Sequence, residues 1–163
     1  KAAGDIAVAG CPRHYIMRSS WVIGEGHNFV KTMKALSDRV ADPEDKLTHV
    51  TVVDDQLGRL TFTRDMAEAI FHVLGAHAPY GTYNCTGSGA VKSWADIARA
   101  VFEAANGNGE KVVPVPTADY YAKAEGPIAP RPVHSALDLS KLEAAGFHMP
   151  DWEEELREYL KTL

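Results

Sequence analysis

The stretch that most constrains this chain is Arg18-Ser19-Ser20-Trp21-Val22-Ile23-Gly24-Glu25-Gly26. An apolar strand, Tyr15-Ile16-Met17, feeds into it, and a helix begins only after its glycines, near Asn28-Phe29-Val30. A strand that ends in small polar residues and a Trp, then opens into a Gly loop, presents side chains at the carboxyl edge of a sheet. In open α/β folds that edge is where ligands bind.

The rest of the chain repeats the alternation. Residues 1–9 read as a helix closing at Gly10 and Pro12, and His14 to Arg18 as a short strand. Asn28 to Arg39 is an amphipathic helix with Phe29, Met33 and Leu36 inward and Lys31 and Lys34 outward. A charged turn, 41–46, leads to a β-branched strand at His49–Val53. Asp54 to Arg59 reads as a loop and Leu60 to Phe62 as a short extended piece. Thr63 can then cap a helix from Arg64 to about Leu74, with Met66, Ala67, Ile70, Phe71 and Leu74 on its inner face. A strand follows at Gly81–Gly87, then a helix from Trp94 to Ala105 that Ser93 and Asp96 open as a capping box. Lys111–Val115 is the next strand. Pro116, Pro127, Pro130 and Pro132 make the following stretch irregular. Ser135–Leu139 reads as extended, Ser140–Ala145 as a short helix, and Trp152–Leu163 as a last helix capped by Asp151. Alternation of this kind predicts an α/β fold with parallel strand pairing.

Composition closes off several functions. A length of 163 residues suits one unit with a real core. A formal charge of −5 speaks against nucleic-acid or membrane-surface binding. No long apolar run predicts a membrane span, so a cytoplasmic protein is expected. Cys11 and Cys85 are far apart, and reduced thiols are expected over a disulfide. The seven histidines pair neither with one another at metal-ligand spacing nor with a Cys-x-x-Cys, so no metal site is expected. Gly87-Ser88-Gly89 lacks the third glycine of a dinucleotide fingerprint. Lys1 leads straight into Ala2-Ala3-Gly4-Asp5, which reads as the middle of a helix and as a piece of a longer chain.

What remains is a set of polar and aromatic groups at loop edges. Trp21 is either a stacking platform for a sugar ring or a core residue. Asn28 either offers its amide and a helix N-terminus to an anion or serves only as the helix cap. Arg131, stiffened between Pro130 and Pro132, either grips a diphosphate or makes a surface ion pair. Gln56 and Gly58 belong to a polar loop or to a plain turn. Trp94, Trp152, Phe71 and Phe102 fall on apolar helix faces and are assigned to the core.

Together these stretches resemble the carboxyl half of dTDP-4-dehydrorhamnose reductases, members of the extended short-chain dehydrogenase/reductase superfamily. The matching residues are Arg18-Ser19-Ser20-Trp21-Val22, Gly26 with Asn28-Phe29-Val30-Lys31-Thr32-Met33, Val53-Asp54-Asp55-Gln56-Leu57-Gly58, Gly81-Thr82-Tyr83-Asn84, Ser93-Trp94-Ala95-Asp96, and Arg131-Pro132 with Ser135-Ala136-Leu137 and Lys141-Leu142. The resemblance implies NADPH-dependent reduction of the C4 ketone of dTDP-4-dehydro-L-rhamnose. It implies that Lys1 is the lysine of the Tyr-x-x-x-Lys pair, in contact with the cofactor, and that Ser20 lies near the cofactor too. It places Trp21 against the deoxysugar, Asn28 and Arg131 near the thymidine diphosphate, and Gln56 among the substrate contacts. The sequence departs from the family at Ile23, where a Tyr is usual, at Leu60, where a Pro is usual, and at Pro130, where a second Arg is usual.

On this resemblance residues 1–163 form one substrate-binding portion with the last strands and helices of the Rossmann-like sheet. The dinucleotide-binding half lies upstream in the same chain, and the isolated portion is inactive. A homodimer and a fused epimerase domain are the other partners the resemblance suggests. Two alternatives stand beside it: a non-catalytic subunit like the regulatory subunit of methionine adenosyltransferase, and a reductase or epimerase for another nucleotide sugar.

Overall fold

The computed structural model describes all 163 residues. Its helices are α1 (Ala2–Ala9), α2 (Phe29–Ala41), α3 (Thr63–Gly75), α4 (Trp94–Asn106), α5 (Thr117–Tyr120), α6 (Ser140–Ala144) and α7 (Trp152–Leu160). Its strands are β1 (Tyr15–Arg18), β2 (Val22–Ile23), β3 (Val50–Val53), β4 (Leu57–Gly58), β5 (Thr61–Phe62), β6 (Gly81–Asn84), β7 (Lys92–Ser93) and β8 (Val112–Val115), with a 3₁₀ turn at Gly109–Lys111 before β8. Three strand pairs are parallel, as helical crossovers require: β1 with β6, β2 with β5, and β3 with β8. The fourth, β4 with β7, is antiparallel and sets Leu57 opposite Ser93. The expected α/β class is the observed one.

Two apolar cores form. One joins α2, β3, β8, α4 and α7 through Val30, Met33, Val52, Val101, Phe102 and Trp152. The other lies where α3 and α6 meet β6, around Ala69, Val73, Tyr83 and Leu142. Caps read from the sequence hold these helices in place. Asn28 Oδ1 accepts from Lys31 N–H, Ser93 and Asp96 form a reciprocal capping box, and Asp151 accepts from Glu153 N–H. α1 buries nothing and is tied to the end of β1 by an Arg18–Asp5 ion pair of 2.7 Å.

Four local expectations are corrected. Helix α3 begins at Thr63 itself, with Phe62 at the cap position and no side-chain cap. Its buried line is Asp65, Ala69 and Val73, so Ala67, Phe71 and Leu74 turn outward and Phe71 is 73% exposed. Small side chains at an i, i+4 spacing let the helix lie close to Tyr83, and that close approach outweighs burial of the larger residues. Gln56 to Arg59 is not simply a loop, because Leu57–Gly58 pairs with Lys92–Ser93. Beyond the 133–135 stretch, where His134 bridges to Leu57, residues 136–139 run as coil rather than as a strand. Both cysteines are free, Cys11 exposed and Cys85 buried. No helix is long and apolar enough to cross a membrane.

Candidate functional site

Trp21 is one of two non-glycine residues with a left-handed backbone, its φ at +49° beside +48° at His77. A bulky side chain in the left-handed region is an outlier that persists only where the surroundings over-determine it. Here they do. Thr61 donates its N–H to the Trp21 carbonyl at 3.0 Å and its hydroxyl to the Ser20 carbonyl at 2.7 Å. The Trp21 ring stacks on Trp94, with centroids 3.8 Å apart and planes 21° from parallel. Gly58 closes in on the same ring: a Cβ there would lie 2.8 Å from it. Phe29 then meets Trp94 at 4.4 Å and extends the aromatic wall.

This wall borders a cleft of about 460 Å³ at the carboxyl ends of the strands. Ser20, Trp21, Phe29, Trp94, Gln56 and Arg131 all line it, and Tyr120 and Tyr121 stand on its outer side. Arg131 makes no hydrogen bond or ion pair inside the chain, so its guanidinium is available to a ligand anion. Gln56 donates from Nε2 to Thr117 Oγ1 at 2.9 Å. Thr117 in turn gives its hydroxyl proton to Asp55 at 2.5 Å and its N–H to the same carboxylate at 3.0 Å. Those two hydrogen bonds hold the Asp55 carboxyl below its ordinary pKa.

Four of the residues singled out in the sequence therefore meet in one cleft: Ser20, Trp21, Gln56 and Arg131. Ser20 has its hydroxyl committed to the Ser135 carbonyl at 2.8 Å. Asn28 does not line the cleft. Its Oδ1 caps α2, and its Nδ2 donates to the Gly24 carbonyl at 2.8 Å and to Tyr159 Oη at 2.9 Å, which consumes the amide. Lys1 also lies outside it, exposed at the start of α1. No cluster of His, Cys, Asp or Glu gathers in a way that would hold a metal ion.

Sequence reasoning misses Trp94, Phe29, Tyr120 and Tyr121 as cleft residues. Periodicity assigns Trp94 to the core, and it is instead half-buried on the cleft wall. The signal is present in its position. It is the first residue of α4 directly after the Ser93 cap, where a side chain sits at the strand–helix edge and not in the helix interior. Tyr120 and Tyr121 lie in a segment without periodicity, which gives no signal.

Comparison with known proteins gives the family and the fold. The profile described as the RmlD substrate binding domain matches residues 1–163. The chain is 37% identical to a dTDP-4-dehydrorhamnose reductase of Aggregatibacter actinomycetemcomitans, covering 96% of this chain and 53% of that protein. It is likewise 37% identical to the spore coat polysaccharide biosynthesis protein SpsK of Bacillus subtilis, covering 90% and 46%. Among solved structures it is similar to dTDP-4-dehydrorhamnose reductase from Bacillus anthracis in complex with NADP, at a TM-score of 0.80 and 33% identity over 100% of this chain and 52% of that one. The chain thus spans about half the length of the curated relatives it matches, and its α/β fold is that of the corresponding part of these extended reductases. By the match of the profile to every residue, the chain belongs to the RmlD substrate binding domain family.

Proposed function

We propose that this chain is the substrate-binding portion of a dTDP-4-dehydrorhamnose reductase and that its cleft receives the dTDP-deoxysugar. The observation that carries this reading is the convergence of stacked indoles, Gln56 and the unpaired Arg131 in one cleft. A deoxysugar presents C–H faces suited to an aromatic wall, and a diphosphate suits a planar guanidinium fork. Arg131 then holds the diphosphate, Trp21 and its neighbours border the sugar, and Gln56 supplies a polar contact. The reaction of the whole protein is the NADPH-dependent reduction of the C4 ketone of dTDP-4-dehydro-L-rhamnose.

The residues of this chain do not by themselves fit a dinucleotide. Ser20 has spent its hydroxyl on Ser135, Lys1 is the one cation assigned to the cofactor, and no Gly-rich fingerprint is present. NADPH binding belongs in this reading to a dinucleotide-binding half upstream. That half would continue the sheet at β1, which hydrogen-bonds only to β6 and leaves its other edge unpaired.

The test is a tryptophan-fluorescence titration of the chain with dTDP-L-rhamnose, paired with an NADPH-oxidation assay on dTDP-4-dehydro-L-rhamnose. Saturable quenching without oxidation is expected. Absence of any fluorescence change, or measurable NADPH oxidation by this chain alone, contradicts the proposal.

A further inference from the structure

One wall of the cleft is a strap, residues 117–135, whose two ends return to neighbouring residues: Asp55 in the connection after β3 and Leu57 at the start of β4. At its far end Leu57 donates its N–H to the Val133 carbonyl, and Ser135 donates to the Leu57 carbonyl, each at 2.7 Å. At its near end the anchor is Asp55, which accepts both the N–H and the hydroxyl of Thr117. Between the anchors the strap carries Tyr120 and Tyr121, packed edge to face with centroids 5.0 Å apart, and Arg131.

The strap's one helical turn, α5, has four residues, too few to persist without outside support. Asp55 supplies that support by accepting the first N–H of the turn. The hydroxyl of Thr117 has a single proton. Because that proton points at Asp55, the oxygen lone pairs face Gln56 and can only accept from it. The Gln56 amide is thereby oriented with Nε2 toward Thr117, leaving Oε1 as an acceptor for a ligand in the cleft.

We propose that Asp55 is a positioning residue: through Thr117 it fixes both the orientation of the Gln56 amide and the Tyr120–Tyr121 wall of the cleft. The inference deepens the function proposed above and rests on it only for the identity of the ligand. A carboxylate is needed because it accepts twice. An Asn at this position accepts on one side only, and its amide N–H would face a donor or reverse the hydroxyl, turning the Gln56 amide around.

The experiment follows the Gln56 side-chain amide signal in ¹H–¹⁵N spectra of the chain, assigned by its loss in Gln56→Ala, in Thr117→Val, Thr117→Ser and Asp55→Asn. Thr117→Val keeps the backbone hydrogen bond to Asp55 and deletes only the hydroxyl. The signal is expected to shift and to lose protection from exchange in Thr117→Val and Asp55→Asn, and to stay in place in Thr117→Ser. In parallel, dTDP affinity should fall about five- to tenfold in Thr117→Val and Asp55→Asn, the scale of a single hydrogen bond, and be retained in Thr117→Ser. An unmoved Gln56 signal in Thr117→Val, or dTDP affinities within twofold of wild type in both damaging variants, overturns the positioning role. If the signal moves as expected while wild type fails to bind dTDP, the relay stands and the ligand assignment falls.

Discussion

Trp21 and Trp94 stack with ring centroids 3.8 Å apart, although one follows a strand and the other opens a helix far along the chain. The stack joins the Gly-loop edge to the start of α4 and gives the cleft its rigid side. Truncating Trp94 removes its packing against both Trp21 and Phe29. Trp94→Ala is expected to destabilise by about 2–3 kcal/mol, below the range for a fully buried Trp because Trp94 is half-buried, and Trp94→Phe by about 1 kcal/mol. Urea unfolding of the two variants measures this.

Gly58 is required by its close packing and not by its own backbone angles. A methyl group there would meet the Trp21 ring at 2.8 Å, and the ring has Trp94 beside it. Gly58→Ala should cost roughly 1–3 kcal/mol through this overlap, and should weaken dTDP-sugar binding by displacing the wall. Thermal melts and ligand titration of the same variant check both effects.

Asn28 acts on the fold rather than on the ligand, because its amide is consumed by Lys31 N–H, Gly24 and Tyr159. Asn28→Ala is expected to lose about 1–2 kcal/mol of stability as a helix cap. Its affinity for dTDP, measured by calorimetry, should stay within twofold of wild type.

Much of this layout is legible in the sequence because it rests on local rules. The caps at Asn28, Ser93 and Asp151 each announce a helix start through a side chain that reaches its own first turn. Cleft residues on strand ends, such as Ser20 and Trp21, follow from the α/β alternation. What is not legible depends on packing between distant segments. Phe71 looks like core by periodicity, yet the close approach of Ala69 and Val73 to the sheet decides which way α3 faces. Tyr120 and Tyr121 line the cleft from a strap whose ends are hydrogen-bonded to Asp55 and Leu57, residues more than sixty positions away from them in sequence, beyond the reach of any local pattern.

Asp65 gives a stability signature opposite to that of the other shifted carboxylates. Burial, then the charge of Glu155, raises its pKa from 3.8 to about 6; Arg64 pulls it back down and Glu68 adds slightly to the rise. Burial, with the nearby Asp65 charge adding to it, lifts the Cys85 thiol to about 11. Between pH 4 and 6 the folded state keeps the Asp65 proton that the unfolded state releases, so its contribution to stability falls as pH rises through this window. Asp65→Asn should match wild type near pH 4 and exceed it by about 1–3 kcal/mol at pH 7, as urea unfolding across pH will show.

One cleft, bordered by Trp21 and reached by Arg131, is proposed to bind a nucleotide sugar. Calorimetric titration of wild type and Arg131→Ala with dTDP-L-rhamnose tests this most directly, since Arg131 has no partner in the chain whose loss would disturb the fold. The predicted result is one site in wild type and a weakening of about tenfold or more in Arg131→Ala, the scale of one charge-assisted hydrogen bond. Equal affinity in the two proteins, or no binding to wild type, would contradict it.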